Sequence, residues 1–448
     1  GLRNELNNSK RGMINLIKKA VEKLEEASAS KPIYVISHFD TDGITAAAIF
    51  ARTLSKLDKH FTLRIVKSLN EDFVEELPSN AFLIFLDLGS GSLEQLAKKG
   101  DVLILDHHEI PTEVPGNVTM VNPHLIGHEP VCSAAICYLF SKYLLGANKD
   151  LASLAVVGTV GDAHEKEIGK VFSEILEDAE ATIKKGLLIY PSTRPVDKVL
   201  EYCSNPFIPK VSGNRIGVIE LLREAGLAPV DGRYKSLHEL DEREMRALIT
   251  AVMVRLKGKH AEKLIGNIFL VKFFSRMEDA RELSALINAC SRLGHSDIAL
   301  GFCLGNSALR KEADIVYTRY RQSLFAALRY FYDSEKIEGK SYMIVNARDK
   351  IKDTIIGTVA SIASHSPAYE EGFVIVALAY DGERIKVSAR VVGRNGRNVR
   401  ELLARVIDVV GGEVGGHANA AGCIIEKKDE RKFIEELRKV LELELVKV

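Results

Sequence analysis

Short apolar runs separated by amphipathic stretches set the rhythm of the chain. Residues 10–29 place Met13, Ile14, Leu16, Ile17, Ala20, Val21 and Leu24 on one helical face, and Pro32 ends that pattern. Ile33 to Ser37 then reads as a buried strand. Further strands fit 62–67, 82–87, 102–106 and 118–121, and helices fit 44–57, 91–99, 132–145 and 151–160. This alternation predicts a mainly parallel sheet with helices on both faces. In such sheets a ligand lies at the carboxyl ends of the strands.

The pattern changes after Pro191. Residues 191–305 read as mainly helical, with firm helices at 239–257 and 278–293 behind an entrance broken by Pro191, Pro195, Pro206 and Pro209. One long helix fits 308–333. Its aromatic residues Tyr317, Tyr320, Phe325, Tyr330, Phe331 and Tyr332 read as a packing face rather than a base-stacking surface. The α/β rhythm then restarts, with strands at 341–346, 373–380 and 384–391 and helices at 353–364, 397–409 and 429–442. The expected fold class is α/β in two lobes. Residues 1–30 form an N-terminal helix, 31–190 the main domain, 191–305 a helical middle region, 306–335 a connecting helix and 336–448 a smaller α/β domain.

Composition narrows the function classes. The 448 residues are 46% hydrophobic and 27% charged, so the chain can bury ordinary cores. Lys plus Arg and Asp plus Glu each number 61, so any nucleic-acid site must be a local patch and not a basic coat. Six scattered cysteines form no CxxC pair, which favours buried reduced thiols and a cytoplasmic setting over a disulfide framework or a zinc ribbon. No apolar run is long enough to span a membrane. Gly1 to Glu5 leads into no apolar signal core, so secretion is not expected.

Four polar clusters stand at the ends of apolar elements. His38-Phe39-Asp40-Thr41-Asp42-Gly43 follows the strand Ile33–Ile36, and helix capping explains it equally well when taken alone. Asp87 ends the run Phe85-Leu86, where capping is again sufficient. Asp106-His107-His108-Glu109 follows Leu103–Leu105; ionisable groups in such a row are costly to bury unpaired, which favours metal or phosphate binding. Gly158-Thr159-Val160-Gly161-Asp162 closes an apolar helix, and a helix C-cap is the plain reading. Together they offer Asp40, Asp42, Asp87, Asp162, His38 and His107. Four carboxylates and two imidazoles suit two divalent cations with a bridging carboxylate, Mn2+ ahead of the more strictly oxygen-seeking Mg2+. Two such ions roughly 3.5–4 Å apart can activate water and offset charge on a phosphate.

The order HxDxDG, strand-end Asp, DHH, GxxGD resembles the DHH phosphoesterase superfamily. Gly415-Gly416-His417-Ala418-Asn419-Ala420-Ala421-Gly422 is similar to the GGHxxAAG motif of the DHHA1 domain. Ile287-Asn288-Ala289-Cys290-Ser291-Arg292-Leu293-Gly294 is similar to the INAxGRxG segment of RecJ exonucleases. The resemblance spans about 33–423 and is nearest to archaeal RecJ-like nucleases, relatives of Cdc45. It implies that His38, Asp40 and Asp87 hold one metal, and that Asp42, Asp87, His107 and Asp162 hold the other. It implies that His108 contacts the scissile phosphate and that Asp106 orients the imidazoles. His38 stands where bacterial RecJ carries Asp.

A basic tract runs from Arg384 to Arg405 and includes a flexible loop, Gly393-Arg394-Asn395-Gly396-Arg397-Asn398. A solvated helix face is the default for such a tract; its setting beside the Gly415-Gly416 loop favours phosphate binding. Arg292, Arg390, Arg394, Arg397, Gly415, Gly416 and His417 form the candidate nucleic-acid-binding set. The expected function is a metal-dependent exonuclease acting on single-stranded DNA or RNA held between the lobes, in replication or repair. The resemblance implies GINS or a repair helicase as protein partner. The alternatives are a phosphodiesterase for oligoribonucleotides or cyclic dinucleotides, and a non-catalytic scaffold like Cdc45.

Overall fold

The computed structural model describes residues 2–166, 168–258 and 261–443, with the backbone alone for 2–10 and 261. Helix α1 (Leu2–Ser28) leads into β1 (Ile33–His38), α2 (Thr41–Lys56), β2 (Phe61–Val66), α3 (Glu71–Glu76), β3 (Phe82–Leu86), α4 (Leu93–Ala97), β4 (Val102–Leu105) and β5 (Val118–Val121). Helices α5 (Ser133–Leu145), α6 (Lys149–Gly161) and α7 (Lys170–Asp178) follow. The five strands form one sheet of order β2-β1-β3-β4-β5, every pair parallel. Every residue of β3 and β4 is buried, as a parallel sheet covered on both faces requires. Strand order reverses between β1 and β3. In an open α/β sheet that reversal opens a crevice at the strand carboxyl ends. Here those ends are His38 and Leu86.

The Ala-rich α2 is the pivot of this unit. It packs against both α5 and α6, and its residues 41–51 are all buried. Small side chains allow that closeness. A Cβ on Gly158 of α6 would sit 2.5 Å from Ala134 Cβ and 2.6 Å from Thr45 Oγ1. A Cβ on Gly161 would sit 2.6 Å from Thr41 Cγ2. The two glycines therefore let α6 lie directly on the first turn of α2.

Strand β6 (Thr182–Leu187) precedes helices α8 (Val196–Glu201), α9 (Arg215–Glu224) and α10 (Glu242–Leu256), then β7 (Ile265–Phe273) and β8 (Arg276–Asp279). The middle region is thus less uniformly helical than its sequence pattern suggests. It contains an antiparallel β7-β8 hairpin within a three-stranded sheet of order β6-β7-β8. Helices α11 (Ala280–Arg292), α12 (Ser296–Cys303) and α13 (Ser307–Asp333) follow.

Two compact units emerge. The first comprises residues 1–185 and 267–318, the second 186–266 and 319–448, so the division falls inside α13. In the second unit, α8, α9 and α10 close on a core that includes Leu200, Leu221, Leu222, Leu248 and Val252. The rest of this unit holds β9 (Ile337–Glu338), β10 (Tyr342–Asn346), α14 (Asp353–Ser364), β11 (Val374–Asp381), β12 (Arg384–Val391), α15 (Val399–Val410), β13 (Glu413–Gly416), β14 (Ala420–Glu426) and α16 (Glu430–Leu443). Its sheet has the order β13-β14-β12-β11-β10-β9, and only β10 and β11 pair in parallel. Alternation along β10 divides two cores: Tyr342 and Ile344 face α15 and α16, while Met343 and Val345 face α14. The aromatic residues Tyr320, Phe325, Tyr330, Phe331 and Tyr332 of α13 pack on the second of these cores.

Each of the six cysteines is buried and unpaired with another. Among the described residues no helix is long and apolar enough to cross a membrane.

Candidate metal centre

All six candidate ligands of the first unit converge at the strand reversal. His38 is the last residue of β1. Asp40 caps α2 by accepting the Gly43 N–H at 2.9 Å, and Asp42 lies in the first turn, 1% exposed. Asp87 follows β3 in a left-handed conformation, φ 60°, a strain that collects at working sites. Asp106, His107 and His108 follow β4, and Asp162 caps the carboxyl end of α6.

The Asp87 carboxylate divides the centre in two. Its Oδ2 is 3.3 Å from His38 Nδ1, which is also 3.2 Å from Asp40 Oδ2. Its Oδ1 is 3.3 Å from His107 Nε2. That nitrogen also lies 3.6 Å from Asp42 Oδ2 and 3.3 Å from Asp162 Oδ2. His107 Nε2 is buried and has no hydrogen-bond partner, although three carboxylate oxygens surround it. Such a set of donors fits a divalent cation better than it fits the side chains alone, because buried carboxylates facing one another need a positive charge between them.

Neighbouring groups fix the donors. Asp42 accepts the N–H groups of Ser133 and Ala134, each at 2.8 Å, at the amino end of α5. Ser133 Oγ donates to Asp87 Oδ1 at 3.0 Å. Thr41 donates its N–H to Asn288 Oδ1 at 3.2 Å and its hydroxyl to the Ser284 carbonyl at 3.0 Å, so α11 braces the loop between His38 and Asp42. Asp106 is buried beside the ligands. It accepts from Ser90 Oγ at 2.6 Å, from the His107 N–H at 2.8 Å and from His108 Nδ1 at 2.7 Å. Its orienting contact is therefore with the imidazole of His108 and the backbone of His107. Asn122 completes the network by donating to the His108 carbonyl at 2.9 Å.

The charges follow from these contacts. Burial opposes a charged His38, but Asp40 and Asp87 outweigh it and raise the imidazole to about 10. Burial pushes Asp87 up to about 7 and, with Asp87 and Asp162 nearby, pushes Asp42 up as well. Asp40 and Asp106 are held at about 2: burial works against their charge, and the hydrogen bonds of His38 and His108 respectively override it. The hydrogen bond to Asp106 raises His108 to about 9 against partial burial. Its side chain is 56% exposed, so an imidazolium stands at the mouth of the centre.

Sequence reasoning missed several members of this network. Ser90, Asn122 and Ser133 act through contacts distant in sequence, which no local pattern announces; Asn288 lies in the INAxGRxG-like segment, but its bond to Thr41 was not foreseen. His164 could have been found, because it lies two residues after the Gly-Asp step. Its Nε2 is 3.5 Å from Asp162 Oδ2, and with His107 and Asp162 it forms a further potential metal-binding group.

The remaining candidates fall elsewhere. Arg292 is exposed at the end of α11, one turn beyond Asn288. In the second unit, Arg390, Gly415 and Gly416 line a groove of about 530 Å³ with Gly357, Lys386 and Ser388. Arg390 donates to Ser361 Oγ at 2.8 Å and to the carbonyls of Gly357, Ala389 and Ala421 at 3.2, 2.9 and 3.4 Å. Among the described residues no carboxylate pairs with it. Arg394 and His417 are exposed outside the groove lining, and Arg397 turns instead to the Leu441 carbonyl at 2.7 Å and Ser341 Oγ at 2.8 Å.

Comparison with known proteins agrees with this layout. Residues 32–159 match the DHH family N-terminal domain, 189–264 the DHH-CID domain and 339–443 the DHHA1 domain. An uncharacterised protein of Methanocaldococcus jannaschii is 26% identical over 449 residues, covering 94% of this chain and 98% of that protein. The structure of exonuclease RecJ bound to manganese aligns with a TM-score of 0.59 at 20% identity, over 94% of this chain and 93% of that one. CDC45 from Entamoeba histolytica aligns with a TM-score of 0.66 at 12% identity, over 95% and 98%. DHH, DHH-CID and DHHA1 domains in this order, on a RecJ-like fold, make the chain a RecJ-like member of the DHH–DHHA1 family.

Proposed function

We propose that the chain is a metal-dependent exonuclease that hydrolyses phosphodiester bonds in single-stranded nucleic acid. The observation that carries this reading is the split Asp87 carboxylate, one oxygen toward His38 and the other toward His107. Asp87 would bridge two cations, with His38 and Asp40 on one and Asp42, His107 and Asp162 on the other. Mn2+ suits the mixed nitrogen and oxygen donors better than Mg2+. Bound there, the cations would supply an acidified water and positive charge against the phosphate.

The chain's own residues would do the rest. His108, protonated and held by Asp106, would donate a hydrogen bond to the scissile phosphate. Asp42 and Asp87, fixed by the start of α5, would keep their oxygens aimed without reorganising. Arg390 and the bare backbone at Gly415 would receive the sugar-phosphate chain. A scaffold role, which the fold shared with CDC45 brings to mind, gives no reason to gather these repelling carboxylates.

Strands of DNA and RNA labelled separately at each end test the reading. Mononucleotide release is expected with Mn2+, and none with EDTA or in Asp87→Ala. Absence of metal-dependent release from every strand would overturn it.

A further inference from the structure

Beyond the six ligands above, one more imidazole reaches the centre. Helix α6 ends with the His164 N–H bonded to the Thr159 carbonyl at 3.1 Å and Ala163 in the left-handed region, φ 56°. That cap usually takes glycine. Here it turns the chain so that Asp162 and His164 meet. Asp162 Oδ2 is 3.3 Å from His107 Nε2 and 3.5 Å from His164 Nε2, so one oxygen faces two imidazole nitrogens. The two rings stand edge to face, centroids 5.4 Å apart. One donor atom from each of His107, Asp162 and His164 lies within 4.8 Å of the others. The other nitrogen of His164, Nδ1, is buried without a hydrogen-bond partner. Asp162 is thus the polar group this ring faces, and among the described residues no hydrogen bond ties the ring down.

We propose that His164 is an additional ligand of the cation held by Asp42, Asp87, His107 and Asp162, and that it biases this position toward Mn2+ and against Mg2+. This inference rests on the metal-centre reading above. Its chemical basis is donor type. Without His164 that cation would meet three carboxylates and one imidazole, a set Mg2+ can share. A second imidazole adds nitrogen and removes a place for water, which Mg2+ gives up reluctantly.

Calorimetric titration of the full, metal-stripped chain with Mn2+ and with Mg2+ tests it, comparing wild type with His164→Gln and Asp87→Ala. The expected result is a Mn2+ affinity lowered about tenfold or more in His164→Gln with little change for Mg2+, so that the Mn2+ to Mg2+ preference falls. Equal losses for both ions, or no loss, would overturn the inference while leaving the centre intact. Wild type that binds Mn2+ no better than Asp87→Ala would overturn the metal-centre reading itself, and this one with it. Should His164→Gln fail to fold, pulsed electron paramagnetic resonance on Mn2+-loaded wild type with 15N-labelled histidine decides. Coupling to three imidazoles supports the proposal; coupling to two alone overturns it.

Discussion

The amide of Asn288 accepts the backbone N–H of Thr41 at 3.2 Å, across 247 positions of sequence. Thr41 stands between Asp40 and Asp42, so this bond ties α11 to the loop that carries two candidate ligands. Asn288→Ala leaves a buried donor unsatisfied. The expected cost is about 1–3 kcal/mol of stability, with Mn2+ affinity lowered roughly tenfold. Asn288→Asp, which keeps an acceptor oxygen, should recover most of the stability. Chemical denaturation and Mn2+ titration read both effects; an unchanged Asn288→Ala would remove α11 from the account of the centre.

The glycines of α6 make a second prediction. Gly158→Ala forces a methyl to 2.5 Å from Ala134 Cβ, and Gly161→Ala forces one to 2.6 Å from Thr41 Cγ2. Neither neighbour is the end of a flexible chain. Each variant should lose about 1–3 kcal/mol through overpacking, despite alanine's better helix propensity. Urea melts of the two variants check this. A gain in stability for either would mean that α6 and α2 are not in the contact described.

Much of this was legible in the sequence, for a physical reason. Apolar runs such as Phe82–Leu86 and Val102–Leu105 are of strand length and repeat in a βαβ rhythm, so they read as buried strands, and polar groups directly after them fall at the sheet's carboxyl edge. The second imidazole of the Asp162 side was passed over: His164 stands only two residues past the Gly-Asp step, but the left-handed turn at Ala163 that brings it back to Asp162 is not visible in the residue pattern. Strands β13 and β14 were also invisible. Glu413–Gly416 and Ala420–Glu426 are rich in glycine and alanine, and the pairing of β14 with β12 and of β13 with β14 supplies what local propensity lacks. Arg397 illustrates the opposite limit: a basic loop reads as solvent-facing, yet its guanidinium is spent on a helix carbonyl.

The centre should respond to pH with a definite sign. In the metal-free chain Asp87 rises to about 7, His38 to about 10 and His108 to about 9, each above its ordinary value. The folded state therefore binds more protons than the unfolded chain across neutral and mildly alkaline pH, and its stability falls as pH rises. Asp40 and Asp106, held at about 2, change only in acid and do not enter this window. Cation binding must expel the protons of Asp87 and His38, so apparent Mn2+ affinity should rise with pH. The melting temperature of EDTA-treated protein is expected to drop between about pH 6 and about pH 9 while the gain on adding Mn2+ grows. A metal-free melting temperature that rises over that range would contradict the proton assignments.

His108 and Asp106 separate binding from turnover. His108→Ala should lower kcat roughly 10²–10³-fold, the scale for losing one donor to developing charge, with Mn2+ affinity unchanged. In Asp106→Asn the chief cause of the raised His108 is gone. The imidazolium is then lost at lower pH, and the alkaline limb of the rate profile should move down. Steady-state kinetics across pH with both variants distinguishes this from general damage, which would lower the rate without moving the limb.

The groove of the second unit can be tested without touching the metal centre. A Cβ at Gly415 meets nothing within 4 Å, so Gly415→Val projects into open groove and should fold normally. Gly416 differs, because φ 110° strains any side chain and its Cβ would fall 2.5 Å from the Ala420 carbonyl oxygen. Gly415→Val should weaken single-strand binding about tenfold, the scale of one lost base or backbone contact, with melting unchanged. Fluorescence anisotropy with labelled oligonucleotide in EDTA isolates binding from cleavage. Full-affinity binding by a folded Gly415→Val would place the nucleic acid elsewhere on the chain, because a strand seated between Arg390 and the β13 backbone cannot pass over an isopropyl group.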